Sequence, residues 1–241
     1  MIRYLKLGAA AGTAGGAGLA LFLLAVGERS LSEAIAREAA AAGAAGHEEA
    51  FSRGWQVAGG AAGALLYGAL VGVVLGVVFA ALRHRLPFRD DWRRSLALAA
   101  AGFVSVALVP ALKYPADPPS VGDPATVGRR TALYVLVLAC SAVATWSAWR
   151  LWRTLAARGV DEPRRAALVA SAYAAMIAVA LVGLPPGPDP NPAPAELVWR
   201  FRTASLGGAL VFWVVTGLTL GWLLVRTGGA VPGGAKEAVH A

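Results

Sequence analysis

Residues 57–82 read VAGGAAGALLYGALVGVVLGVVFAAL, twenty-six consecutive positions without one acidic, basic or amide side chain. As a helix rising ~1.5 Å per residue, the run exceeds the ~30 Å hydrocarbon core of a bilayer. A soluble surface helix needs a polar face, and this stretch has none, so it reads as a membrane span. Five further runs free of acidic and basic residues lie on either side of it, at 7–26, 95–112, 132–149, 166–184 and 203–225. Each reads as a helix, because only a helix satisfies its own backbone hydrogen bonds where water is absent. With 57% hydrophobic and only 15% charged residues, the composition lies outside the range of ordinary soluble domains. The expected fold is therefore all-α: a polytopic membrane bundle of about six transmembrane helices in one domain, 1–226, with a short disordered cytoplasmic tail, 227–241.

A formal net charge of +8 would suggest a nucleic-acid partner in a soluble protein, but its distribution points to lipid instead. With the N-terminus in the cytoplasm, fourteen of the 22 basic residues and five acidic ones fall inside, a net of +9. The opposite loops hold eight basic and nine acidic residues, a net of −1. The positive-inside rule then predicts that both termini are cytoplasmic, and this topology accounts for the basic charge without a nucleic-acid partner. Arg3 and Lys6 before an apolar run ending at Ala25-Val26-Gly27 would also suit a signal peptide. The run is longer than the usual h-region of roughly 7–15 residues, which favours a span. Cys140, alone in mid-span, reads as a small packing residue.

Glycines recur every fourth residue at Gly8, Gly12 and Gly16, at Gly68, Gly72 and Gly76, and at Gly217 and Gly221. Such stripes let helix backbones approach closely, the main source of packing energy between helices in lipid. A tightly packed bundle is the expectation; a sliding or permeation surface is the alternative.

The cytoplasmic loops 83–94 and 150–165 are rich in arginine and read as topology determinants and headgroup contacts. Neither holds a glycine-rich phosphate loop, so no nucleotide motor is encoded. The first outer loop opens with a capping-box pattern, Ser30 to Glu33, and Glu33 and Arg37 are spaced to pair on a short surface helix. It continues with His47, Glu48 and Glu49, an imidazole and two carboxylates suited to a divalent transition metal. In the second outer loop Asp123-Pro124 reads as a helix N-cap and first turn, and Tyr114 as an interfacial aromatic. There Lys113, Arg129 and Arg130 are expected to pair with Asp117 and Asp123, unless these acids stand at the mouth of a translocation path. In the third, Trp199 and Phe201 fit an aromatic belt and Arg200 is placed to pair with Glu196. Arg202 lies deeper, where a cation either snorkels outward or meets an acid from another loop, and the expected partner is Asp117 or Asp123.

Residues 109–124 (VPALKYPADPPSVGDP), Thr126 with 128–134 (GRRTALY), and 197–207 (LVWRFRTASLG) closely resemble the CbtA family of probable cobalt transporter subunits. The likeness extends over nearly the whole chain and includes Lys113, Tyr114, Pro115, Arg129, Arg130, Trp199, Arg200 and Arg202 as structural or gating positions. It implies a cobalt uptake component of a bacterial inner membrane, linked to cobalamin metabolism. It also implies a small single-span partner, CbtB, with a histidine-rich segment. Members often carry several histidines in the first outer loop, whereas this one has His47 followed by Glu48 and Glu49.

The combined expectation is a cobalt uptake subunit, not an enzyme, with cobalt(2+) as substrate, no permanently bound cofactor, and lipid and the partner as neighbours; a homo-oligomer stays open. Candidate metal ligands are His47, Glu48, Glu49, Asp117 and Asp123. The rival reading is a non-transporting scaffold or assembly protein, since the family-like cations repel a divalent metal and no span holds an acid that would couple protons.

Overall fold

The computed structural model describes residues 1–27, 33, 52–118, 123–187 and 193–228. Six helices are long and apolar enough to cross a membrane. They are α1 (Ile2–Gly27), α2 (Arg53–Leu82), α3 (Asp91–Lys113), α4 (Val127–Ala157), α5 (Glu162–Gly183) and α6 (Ala195–Gly228). No strand occurs among the described residues. Several helices outrun the apolar runs that announce them, α4 most of all, because hydropathy marks only the lipid-facing part of a helix and not its watery ends.

Local chemistry sets the helix starts. The Asp90 carboxylate accepts the Arg93 amide at 2.7 Å at the head of α3, and Asp161 accepts that of Arg164 at 3.2 Å at the head of α5. Asp123 accepts the Ala125 amide at 2.8 Å and opens a 3-10 turn, Pro124–Thr126, that runs into α4. This is the N-cap expected of Asp123-Pro124. Between α4 and α5 the chain reverses at Gly159, whose φ of 73° is open to glycine at no steric cost.

Along its length α3 changes gauge. An α-helical part, Asp91–Gly102, gives way to a π-helical segment, Phe103–Leu108, before a last α-helical turn, Val109–Lys113. Pro110 has no amide hydrogen and its ring crowds the carbonyl four residues back, so the wider turns fall where an ordinary helix would strain. Within them Ser105 Oγ bonds the Ala101 carbonyl at 2.7 Å and lies 2.7 Å from Thr145 Oγ1 of α4.

The glycine stripes organise one packing group. A Cβ added at Gly8 or Gly12 would run into the carbonyl oxygen of Gly72 or Gly68 in α2, and reciprocally. Backbone therefore meets backbone along the α1–α2 seam, as small residues at helix interfaces allow. The other side of α1 packs on α6, which in turn packs on the first half of α3. There Gly217 faces Ala99, Gly221 faces Ser95 and Trp92, and Gly102 receives the Trp213 ring. Leu75, Phe79, Phe212, Trp213 and Leu220 fill the core of this group. The helices α4 and α5 pack on each other and join through the second half of α3, around Val109, Val137, Ala144 and Ile177. Residues Arg3 and Thr227, joined by a 2.8 Å hydrogen bond, show both ends of the helical domain on one face, here the terminal face. The connections from α3 to α4 and from α5 to α6 lie on the far face.

Candidate functional site

On the far face the family-like residues tie the ends of α3, α5 and α6 together and reach Glu33 of the first loop. Lys113, at the end of α3, donates its ammonium to the Leu181 carbonyl of α5 at 2.7 Å. Next to it, the Tyr114 hydroxyl donates to the Pro185 carbonyl at 2.7 Å. Desolvation raises the Tyr114 pKa against the opposing pull of the Arg129 guanidinium, so the phenol keeps its proton and remains the donor. Both bonds hold α3 to α5 just beyond the apolar core.

Arg202, about two turns into α6, meets an acid. Its Nη2 lies 2.7 Å from Asp117 Oδ1, and its Nε donates to the Ala116 carbonyl at 3.3 Å. Two residues earlier, Arg200 reaches Glu33 of the first loop at 2.6 Å and Glu196 of its own helix at 3.8 Å. Leu197 and Val198 are buried beside this pair, whereas Trp199 is exposed, as an interfacial aromatic would be. The pairing expected of Lys113 with Asp117 or Asp123 is not what the structure has. Lys113 takes a backbone carbonyl, Asp117 holds Arg202, and the Asp123 carboxylate caps the turn leading into α4. Among the other family-like positions, Pro115 and Arg130 are half-buried and Arg129 is exposed.

Arg202 and Asp117 are each about a third exposed, at 34% and 37%, so water and salt screen the pair. Arg202→Ala is therefore expected to cost only about 1 kcal/mol of stability, far less than a fully buried ion pair would. Arg202→Ala and Asp117→Ala should each lower the melting temperature of the purified protein slightly. The double variant should be no worse than either single one; additive losses would mean that the two side chains act separately.

Among the described residues this cluster ties loops to helix ends. Its carboxylates already face guanidinium groups, and positive charge disfavours a second cation nearby. Among the described residues no three of His, Cys, Asp and Glu come together. His47, Glu48 and Glu49 lie outside the described residues. Further into the membrane a cavity of about 640 Å³ opens between the far-face halves of α1, α2 and α6 and the π segment of α3. It is walled by groups such as Leu19, Gly60, Tyr67, Val106 and Phe212, and among the described residues no acid, histidine or cysteine lines it. Gln56, Tyr67 and Ser205 supply its polar side chains, so the lining is mainly apolar and offers a divalent ion no charged ligand.

A family model described as a probable cobalt transporter subunit, CbtA, matches residues 1–225. The chain belongs to the CbtA family. No curated protein and no solved structure matches it. The CbtA match spans all six membrane helices and the whole far-face cluster, so the arginine clasp lies within the family's own domain. Two parts of the clasp were not readable from residue types alone. Lys113 and Tyr114 bind carbonyl groups, which every residue has, and Glu33 sits 167 positions from Arg200, behind a nearer acid at Glu196.

Proposed function

We propose that this CbtA-family chain is the membrane-spanning subunit of a cobalt(2+) uptake system in a bacterial inner membrane, with its terminal face in the cytoplasm. The observation that carries the reading is the match of 225 of its 241 residues to a family described as a probable cobalt transporter subunit. A subunit needs a counterpart. The family resemblance implies a small histidine-rich, single-span partner, and the far face fits a need for one, because Asp117 and Asp123 are already engaged and imidazole ligands would come from elsewhere. His47, Glu48 and Glu49 would then give a first, weak capture of the ion, completed by the partner. The arginines of the clasp would hold the loops in place while staying outside the ion's coordination shell.

Cobalt uptake by cells expressing the chain with and without its partner tests this. Uptake should need both, and His47→Ala should reduce it several-fold at scarce cobalt and little at excess. Uptake indifferent to loss of the chain would support the scaffold reading, which the unsuitability of the far-face cations for holding a metal also favours. Orientation is checked separately in a Cys140→Ser background. Ala116→Cys should react with an impermeant thiol reagent in intact cells and Arg89→Cys only after lysis; the reverse pattern would turn the protein over in the membrane.

A further inference from the structure

The two arginine-rich connections on the terminal face differ in how their charge is held. In the loop between α2 and α3, Arg94 lies 2.7 Å from Asp91, Arg93 lies 3.6 Å from Asp90, and Arg83 stands 4.0 Å from Asp91 while also bonding the Tyr4 hydroxyl. That loop holds three of its five arginines against its two aspartates. The connection between α4 and α5 carries Arg150, Arg153, Arg158, Arg164 and Arg165, and none of the five forms an ion pair among the described residues. Of its two acids, Asp161 is occupied in capping α5 and Glu162 stands in the first turn of that helix, in ion-pair contact with none of the five.

Two of these guanidinium groups are seated on indole rings. Arg165 of α5 lies over Trp152 of α4, 4.3 Å from the ring centroid, and Arg153 lies over Trp149 at 5.3 Å. Trp149 also packs on Trp146 at 4.8 Å, and positions 149, 152 and 153 adjoin within about one turn. Stacking restrains each guanidinium plane and reduces the entropy lost when its edge binds an oxyanion. Two donors in the cluster, Trp149 Nε1 and Arg165 Nε, are buried without an acceptor among the described residues. Both lack an acceptor, which a buried N–H donor ordinarily has.

We propose that this Trp–Arg cluster is a binding site for the phosphate of an anionic phospholipid headgroup, with Arg153 and Arg165 as its principal contacts. Lipid is favoured over a soluble phosphate because the site sits where the apolar run of α4 ends in tryptophans, the depth at which indoles mark the headgroup layer. A headgroup there would also brace the hairpin of α4 and α5, whose second helix buries little of itself: only 6% of the apolar window of α5 is buried by the rest of the protein. The inference does not depend on which ion the protein transports.

The test reconstitutes the full chain in phosphatidylcholine vesicles containing a trace of spin-labelled phosphatidylglycerol or phosphatidylcholine, and compares the immobilised fractions. Wild type should prefer the phosphatidylglycerol. The charge-assisted contacts of Arg153 and Arg165 to the phosphate would carry that preference, so Arg153→Gln with Arg165→Gln should lose most of it and bind the two lipids nearly alike. Arg85→Gln with Arg89→Gln removes the same charge from the same face and should leave it nearly intact. Equal losses in the two variants would reduce the site to diffuse surface charge and overturn the proposal. So would a wild type without preference, a result independent of whether any variant folds. Displacement of the labelled lipid by millimolar inorganic phosphate at constant ionic strength would assign the cluster to a free anion and likewise overturn it.

Discussion

Gly12→Leu is expected to leave almost no folded protein in the membrane. A Cβ at this position already collides with the Gly68 carbonyl and crowds the backbone of Gly72, and a leucine adds further carbons in the same direction. Backbone in a helix cannot swing aside as a side chain does, so α1 and α2 must separate along the whole seam. The loss should exceed the ~1–3 kcal/mol of ordinary overpacking and consume a large part of a net stability of about 5–15 kcal/mol. Gly63→Leu is the natural contrast, because Gly63 lies in α2 as well, yet nothing stands within 4 Å of a Cβ built there. Both substitutions introduce the same side chain in place of a helical glycine, so propensity cancels between them and only the surroundings differ. Fluorescence-detected size-exclusion of the two variants decides the matter, and equal recovery would show that the α1–α2 contact is misplaced.

Phe212→Ala should be the next most damaging change, at about 3–5 kcal/mol. The side chain is 1% exposed, its ring centroid lies 5.5 Å from that of Tyr67 and 5.4 Å from that of Trp213, and it forms part of the wall of the 640 Å³ cavity. Truncation would enlarge a space that neighbouring helices already fail to fill, so little relaxation is available to offset the lost contacts. Thermal unfolding in detergent should show a large drop for Phe212→Ala and a much smaller one for Phe212→Leu. A melting temperature equal to wild type in both would mean that this aromatic group does not hold α6 in place.

Much of the fold was legible because lipid leaves a chain few choices. An apolar run long enough to cross a bilayer must satisfy its own backbone, and all six expected spans are helices. The glycine spacing also announced close packing, but not its partners: nothing in Gly217 and Gly221 says that they meet Ala99 and Ser95 instead of another glycine stripe. The π segment of α3 was invisible, since Phe103–Leu108 has the composition of any apolar helix and Pro110 alone hints at strain. In the clasp, a deep Arg202 required some acid and Asp117 was one of two plausible choices. The contact of Arg200 with Glu33 was hidden by the nearer Glu196, because sequence spacing favours partners on the same helix.

The π segment also governs α3 as a mechanical part. Before it, Ser95 and Ala99 face α6; after it, Val109 packs with α4 and α5. An extra residue in a helix turns everything beyond it by about 100° about the axis. Deleting one residue from 103–108 would keep both rows of contact side chains yet aim them in incompatible directions. The angle between the two halves of this protein is thus stored as a residue count in a single helix, like the offset cut into a crankshaft.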